Sequence, residues 1–139
     1  MAFKVVDTLS GKITYRFGVS TASQAYTAEE LLMETSNALV PATSASTTHN
    51  ILGIGVKTYT EGGTNATIKY IPIDVLMVIA DCTNATAANQ LHLNLPLTDH
   101  LNVNNSSSGS SANTALFHSI ALSGTTRLYG EINRLKGYN

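Results

Sequence analysis

Short apolar runs, separated by turn-forming residues roughly every ten positions, are the feature that most limits what this chain can fold into. The clearest run alternates strictly, with polar or small residues between its apolar positions. These positions are Ile13, Tyr15, Phe17 and Val19. A period of two is typical of a β-strand with one apolar face. Over residues 1–139 the pattern predicts one all-β domain, a small β-barrel or β-sandwich of about seven to nine short strands.

Residues 27–35 fit two structures. Thr27 and Glu30 have the spacing of a capping box, which favours a helix. The apolar run is short for a stable helix, however, and Ser36 and Asn37 can form a tight turn behind it. We therefore favour a hairpin and keep the helix as the alternative.

Four other segments carry signals of their own. Residues 84–91 are rich in alanine behind a capping asparagine, which predicts one short helix. Residues 1–10 alternate weakly and fit either an edge strand or an extended N-terminal arm. Residues 102–113 are rich in Ser, Asn and Gly, which predicts a flexible surface loop. Gly53 and Gly55 stand at alternate positions of one apolar run and indicate a bulge or a close backbone approach.

The chain is poor in charge. Asp, Glu, Lys and Arg make up 12% of the residues, about half the share of an average soluble domain. Such a composition suits a surface that a partner covers, because the centres of protein interfaces are depleted in charged residues. The net charge is −1, and the eight Lys and Arg are scattered from Lys4 to Lys136 without a cluster. We therefore expect no nucleic-acid partner.

No catalytic pattern stands out. The Gly53-Ile54-Gly55 triplet lacks the third glycine and the following helix of a dinucleotide-binding loop. The serines lie in polar tracts without a nucleophile elbow. His92, Asp99 and His100 form a local cluster, which we interpret as ordinary polar positions rather than a metal site, with a pH-sensitive subunit contact as the alternative. We expect neither an enzyme nor a cofactor.

The cysteine usage and the chain start bear on location. Cys82 is the one cysteine, so no internal disulfide can form, and we expect it to be a small buried apolar residue. The first residues lack the pattern of a secretion leader. The longest apolar run, from Val75 to Ala80, is too short to cross a bilayer. We therefore expect a protein made in a cytoplasm, with no membrane partner.

Five segments carry a likeness to a known family: Val78 to Leu91, Leu97 to Val103, Ala38 to Thr43, Ile51 to Val56 and Leu128 to Ile132. They resemble the capsid decoration (cement) proteins of tailed bacteriophages. The resemblance covers most of the chain loosely, and none of its motifs is catalytic.

The resemblance implies a structural virion protein on the outer capsid surface. Such proteins are β-rich, commonly homotrimeric, and bridge neighbouring major capsid protein subunits. An N-terminal arm could then add a strand to a neighbouring sheet. The predicted interface residues are Ala2, Phe3, Lys4, Val5, Val6 and Asp7. Two alternatives stay open: another small phage structural module of the head–tail junction or tail, and a carbohydrate- or ligand-binding β-barrel.

Overall fold

A computed structural model of the chain describes residues 2–8, 11–60, 63, 67–73 and 76–132. Within these residues, nine strands have four or more residues, and five shorter strands have two or three. The predicted all-β class is confirmed, and the longer strands match the predicted number. None of the described sheets closes into a barrel.

The described strands are numbered in chain order. They are β1 (Phe3–Thr8), β2 (Arg16–Val19), β3 (Ala25–Tyr26), β4 (Leu31–Thr35), β5 (Ala38–Pro41), β6 (Ile51–Gly55), β7 (Tyr59–Thr60), β8 (Thr67–Pro72), β9 (Leu76–Asp81), β10 (Asn94–Leu95), β11 (Leu97–Asp99), β12 (Asn102–Val103), β13 (Phe117–Gly124) and β14 (Arg127–Ile132). One 3₁₀ turn covers Ala88–Gln90.

Two five-stranded antiparallel sheets make up the fold. Sheet I has the strand order β1-β9-β14-β13-β10, and sheet II has the order β2-β8-β6-β4-β5. Two-stranded ladders join β11 to β12 and β3 to β7. The order places β1 at one edge of sheet I and β2 at one edge of sheet II. No helix among the described residues is long and apolar enough to cross a membrane.

Apolar side chains from both sheets form the main core. Phe3, Phe117 and Leu128 come from sheet I, and Leu31 and Ile54 come from sheet II, all with almost no exposed surface. A smaller apolar cluster lies beside sheet II. Its buried members are Tyr26, Leu32, Leu39, Ile68 and Tyr70. The two sheets therefore share one core, and sheet II has a second cluster of its own.

The segment that allowed a helix or a hairpin is a hairpin. β4 pairs with β5 across Ser36 and Asn37, whose φ angles of 51° and 64° are those of a tight hairpin turn. Thr27 and Glu30 still make a capping-box contact, since the Thr27 N–H donates to Glu30 Oε1 at 2.8 Å. The contact closes a turn that leads into β4, not a helix. The preferred hairpin prediction is confirmed.

The helix predicted over residues 84–91 is mostly wrong. Only Ala88–Gln90 is helical, as one 3₁₀ turn. Asn84 does not cap it. Its backbone N–H and C=O both bond the side chain of Asn105, at 2.9 Å each. The backbone groups that would begin a helix are thus engaged by another part of the chain.

The predicted N-terminal arm is an edge strand. β1 pairs with β9 in antiparallel register, and Ala2 and Phe3 are buried in the main core. The extended-arm alternative is therefore wrong for residues 2–8. A register shift between Val5 and Asp7 makes Val6 the bulged residue, and its side chain is exposed.

The close approach predicted at the glycines is confirmed at Gly53. A Cβ placed there would lie 2.2 Å from the carbonyl oxygen of Ile71 in the neighbouring strand β8. The Ser- and Asn-rich tract is anchored at its start, where Asn105 is buried. Its predicted flexibility stays a prediction.

Candidate functional site

An apolar stripe runs along β2 and the residues that lead into it. The exposed fractions are 49% for Ile13, 47% for Tyr15, 65% for Phe17 and 47% for Val19. Among the described residues, only two other large apolar side chains are comparably exposed, Val6 and Leu122. We call the four residues the β2 stripe. Scattered exposed apolar residues are normal, but a contiguous row marks an interaction surface.

Phe17 and Val19 point outward because they alternate with Gly18, whose side of β2 has no room for a side chain. A Cβ at Gly18 would lie 2.5 Å from Leu39 Cδ1, so the side chains of β5 and β8 already fill that space. Phe17 lies opposite Lys69 of β8, and directly opposed residues share a face. The apolar residues Phe17 and Val19 therefore share the outer face with Lys69.

Two lysines near the stripe lie against aromatic rings. Arg16 alternates with Tyr15 and Phe17 and lies opposite Tyr70, so it does not share the face of the stripe. Lys69 Nζ lies 4.1 Å from the centroid of the Tyr15 ring, and Lys57 Nζ lies 5.9 Å from that of Tyr59. Both distances suit cation–π attraction, which holds the ammonium groups beside the aromatic rings. The outer face of the stripe thus carries Lys69 beside its apolar side chains.

A groove of about 250 Å³ opens beside Phe17. Its floor includes the stacked rings of Tyr26 and Tyr59, whose centroids are 5.2 Å apart. The Tyr26 hydroxyl donates to the Leu39 carbonyl at 2.6 Å, which fixes the ring. Tyr26 is almost completely buried, so Phe17, Tyr59 and the two lysines of the lining are the groups that can hold an apolar side chain or the face of a sugar ring.

Glu30 also lines the groove but is only 1% exposed. Its Oε1 accepts the Thr27 N–H, and its Oε2 lies 2.5 Å from His100 Nδ1. Burial raises the pKa of the Glu30 carboxyl above its ordinary value, although the Thr27 and His100 hydrogen bonds act in the opposite direction. The Leu31 N–H also donates to the His100 carbonyl, so the pair ties β4 to the β11–β12 ladder.

The three residues that cluster in the sequence diverge in the structure. His100 faces Glu30, Asp99 accepts from the Leu101 N–H in its own turn, and His92 is exposed. In the described part of the chain, no three His, Cys, Asp or Glu side chains come together as metal ligands would. The sequence analysis missed the Glu30–His100 pair, because the capping-box spacing indicates only the contact between Thr27 and Glu30, and His100 lies 70 residues away.

The predicted interface residues are divided by burial. Ala2 and Phe3 belong to the core, and Val5 packs against it. The other three, Lys4, Val6 and Asp7, are exposed at the edge of sheet I. The interface itself stays a prediction, and these three are the residues able to serve it.

Comparisons with known proteins relate the fold to a solved structure. No protein-family model matches the chain, and no curated protein matches it. Among solved structures, the chain is similar to the N base of head fiber gp8.5 of bacteriophage phi29, with a TM-score of 0.53 and 10% sequence identity. The match covers 87% of this chain and 96% of that chain. At this identity the similarity shows a shared fold.

Proposed function

We propose that this chain is a structural protein of a bacteriophage head, which binds the outer surface of the assembled capsid and bridges neighbouring major capsid protein subunits. The observation that carries the proposal is the shared fold with the base of a phage head fiber, across 96% of that chain. The resemblance of several sequence segments to decoration proteins supports the same function independently.

The surface chemistry supports an assembly role rather than a catalytic one. Only 12% of the residues are charged, and a row of apolar side chains is half exposed. A partner that covers this row removes apolar surface from water, which is favourable. A protein that binds only the assembled shell stabilises the shell by mass action. Three linked copies would add avidity to each modest contact. The proposal therefore includes a homotrimer as the working form.

The direct test is saturable co-sedimentation with expanded empty heads. Purified full-length chain is titrated onto the heads, with unexpanded proheads as the control. We expect binding that saturates at a fixed ratio to the capsid protein on expanded heads. Absence of saturable binding at protein concentrations of tens of micromolar would exclude the proposed function.

The oligomeric state is measured separately by size-exclusion chromatography with light scattering. We expect a mass of three chains. A monomer that still binds heads would remove the trimer from the proposal and leave the capsid-binding role.

A carbohydrate-binding role is the second candidate, and the groove beside Phe17 favours it. The exposed Phe17 ring and the partly exposed Tyr59 ring supply an aromatic surface on which a sugar ring can pack. A glycan array tests it, with Phe17→Ala as the comparison. Glycan binding that Phe17→Ala abolishes, together with no binding to heads, would replace the first candidate by this one.

A further inference from the structure

We infer that the groove beside Phe17 binds one sugar ring that carries an anionic group, with the ring on the aromatic side chains and the anion beside Lys57 and Lys69. This site rests on the carbohydrate-binding role, the second candidate above, and the class of sugar is what it adds. Capsid binding does not depend on it.

The aromatic part of the groove is ordered before a ligand binds. The Tyr26 hydroxyl accepts the Thr21 N–H at 2.9 Å and donates to the Leu39 carbonyl oxygen at 2.6 Å, so the ring is fixed. The Tyr59 ring stacks on it with an angle of 20° between the ring planes. A surface that is already ordered loses less conformational entropy on binding than one that orders with the ligand. The Tyr59 ring is therefore a preformed contact surface.

The size and openness of the groove fit one sugar ring. Its volume of about 250 Å³ lies below the range of about 300–1,000 Å³ for drug-sized ligands, so it has room for one ring rather than a long chain. Phe17 is 65% exposed, so a ligand that packs on it keeps its outer side in water. A sugar ring suits this position, because it has an apolar C–H face and hydroxyls at its edge. An apolar side chain of a protein partner gains most when it is fully buried.

Two lysines are the accessible charged groups of the groove. The charged residues of its lining are Glu30, Lys57 and Lys69. Glu30 is 1% exposed, and its carboxyl oxygens bind the Thr27 N–H and His100, so a ligand cannot reach them. Both lysines are exposed, and neither has a carboxylate partner among the described residues. An anionic ligand in the groove therefore meets two unpaired positive charges and no accessible acid.

Aromatic rings position the two ammonium groups. Lys57 Nζ lies against the Tyr59 ring, and Lys69 Nζ lies against the Tyr15 ring. Lys69 is also directly opposite Phe17 in the β2–β8 ladder, so its side chain lies beside the exposed ring on which the sugar would pack. A ring occupies one side of an ammonium group and leaves other N–H donors for an anion. Hydrogen bonds to an ionised acceptor are the stronger ones, so a carboxylate or phosphate on the sugar adds affinity.

The first experiment compares sugars that differ in charge. The full-length chain is titrated with methyl glucuronide, with glucose 6-phosphate and with the neutral methyl glucoside, and the amide chemical shifts of the groove residues are followed by NMR. We expect at least one anionic sugar to bind about three- to fivefold more tightly than methyl glucoside at low salt. The difference should shrink at about 0.5 M salt, because exposed charges are screened. Whichever of the two anionic sugars binds more tightly identifies the anion as a carboxylate or a phosphate.

The second experiment removes the charges one at a time. Lys57→Gln and Lys69→Gln should each lower the affinity for the anionic sugar about two- to fivefold and leave the affinity for methyl glucoside unchanged. Lys4→Gln is the matched control, because Lys4 is an exposed strand lysine on sheet I, and it should change neither affinity. Phe17→Ala should weaken the anionic and the neutral sugar alike, because it removes ring surface and no charge. Circular dichroism checks the fold of each variant.

Other outcomes would overturn the inference. Equal affinity for charged and neutral sugars would leave the carbohydrate-binding role in place and remove the anionic class. A loss of affinity in Lys4→Gln equal to that of the groove variants would show that the anion binds elsewhere. A hexaglutamate peptide that shifts the same amides at lower concentration would replace the sugar by an acidic protein partner. No binding of any sugar at tens of millimolar would remove the carbohydrate-binding role as well, while head co-sedimentation decides the capsid-binding role separately.

Discussion

Replacing Gly53 by alanine tests how closely β6 and β8 approach each other in sheet II. The added Cβ would lie 2.2 Å from the Ile71 carbonyl oxygen and 2.4 Å from Tyr70 Cδ2. Ordinary contact begins at 3.4 Å, so the carbonyl must retreat by about 1.2 Å. This oxygen belongs to the backbone of β8, which is bonded to β6 and to β2. It cannot rotate away as a side chain would.

The expected cost follows from this geometry. Overpacking a well-filled site costs about 1–3 kcal/mol, and a clash with paired backbone belongs at the upper end of that range. Alanine recovers about 0.5–1 kcal/mol of backbone entropy relative to glycine. We expect Gly53→Ala to lower the free energy of unfolding by about 2 kcal/mol. For a domain of this length that lowers Tm by roughly 6–8 °C.

Gly55→Ala is the matched control, two residues further along the same strand. The atom nearest to its added Cβ is the Thr27 carbonyl oxygen at 3.5 Å, which is ordinary contact. We expect this variant to be as stable as the wild type or more stable by up to about 1 kcal/mol. Urea unfolding followed by circular dichroism measures both variants, with the m-value checked for constancy. The reasoning fails if Gly53→Ala is as stable as the wild type, or if both variants lose the same stability.

Three further predictions concern single side chains. Burial raises the pKa of the Glu30 carboxyl, so the native state binds the carboxyl proton more tightly than the unfolded chain does. The stability that the bound proton contributes is lost as the pH rises above the ordinary value of 4.5. Glutamine does not titrate, so the unfolding free energy of Glu30→Gln minus that of the wild type should rise between about pH 4 and pH 7 in urea titrations. A difference in unfolding free energy that does not change with pH would contradict this. Asn105→Ala should lower the unfolding free energy by about 1–3 kcal/mol, because the Asn84 N–H and C=O lose their hydrogen-bond partner. A urea midpoint equal to that of the wild type would refute this prediction. Burial, with the Asp81 charge, raises the pKa of the Cys82 thiol to about 11, so a disulfide reagent at about pH 8 should label it far more slowly in the native protein than in urea.

The fold class was predictable because local signals agreed with the final pairing. The β4–β5 hairpin is an example, since Ser36 and Asn37 favour the tight turn that the two short apolar runs require. The segment 84–91 shows the opposite case. Its alanines favour a helix locally, but the buried side chain of Asn105, 21 residues after Asn84, binds the backbone that would begin the helix. A contact at that separation is not visible in local propensity.

The direction of the β2 alternation could not be predicted from the pattern alone. A period of two shows that two faces differ, but not which face meets the core. At β2 the small residues lie inside, because Leu39 and Tyr70 occupy the space over Gly18. Buried Ser20 continues the same inner side. When apolar residues alternate with Gly and Ser, either the apolar side or the small side of the strand can face the core. The side chains of the neighbouring strands decide which side it is.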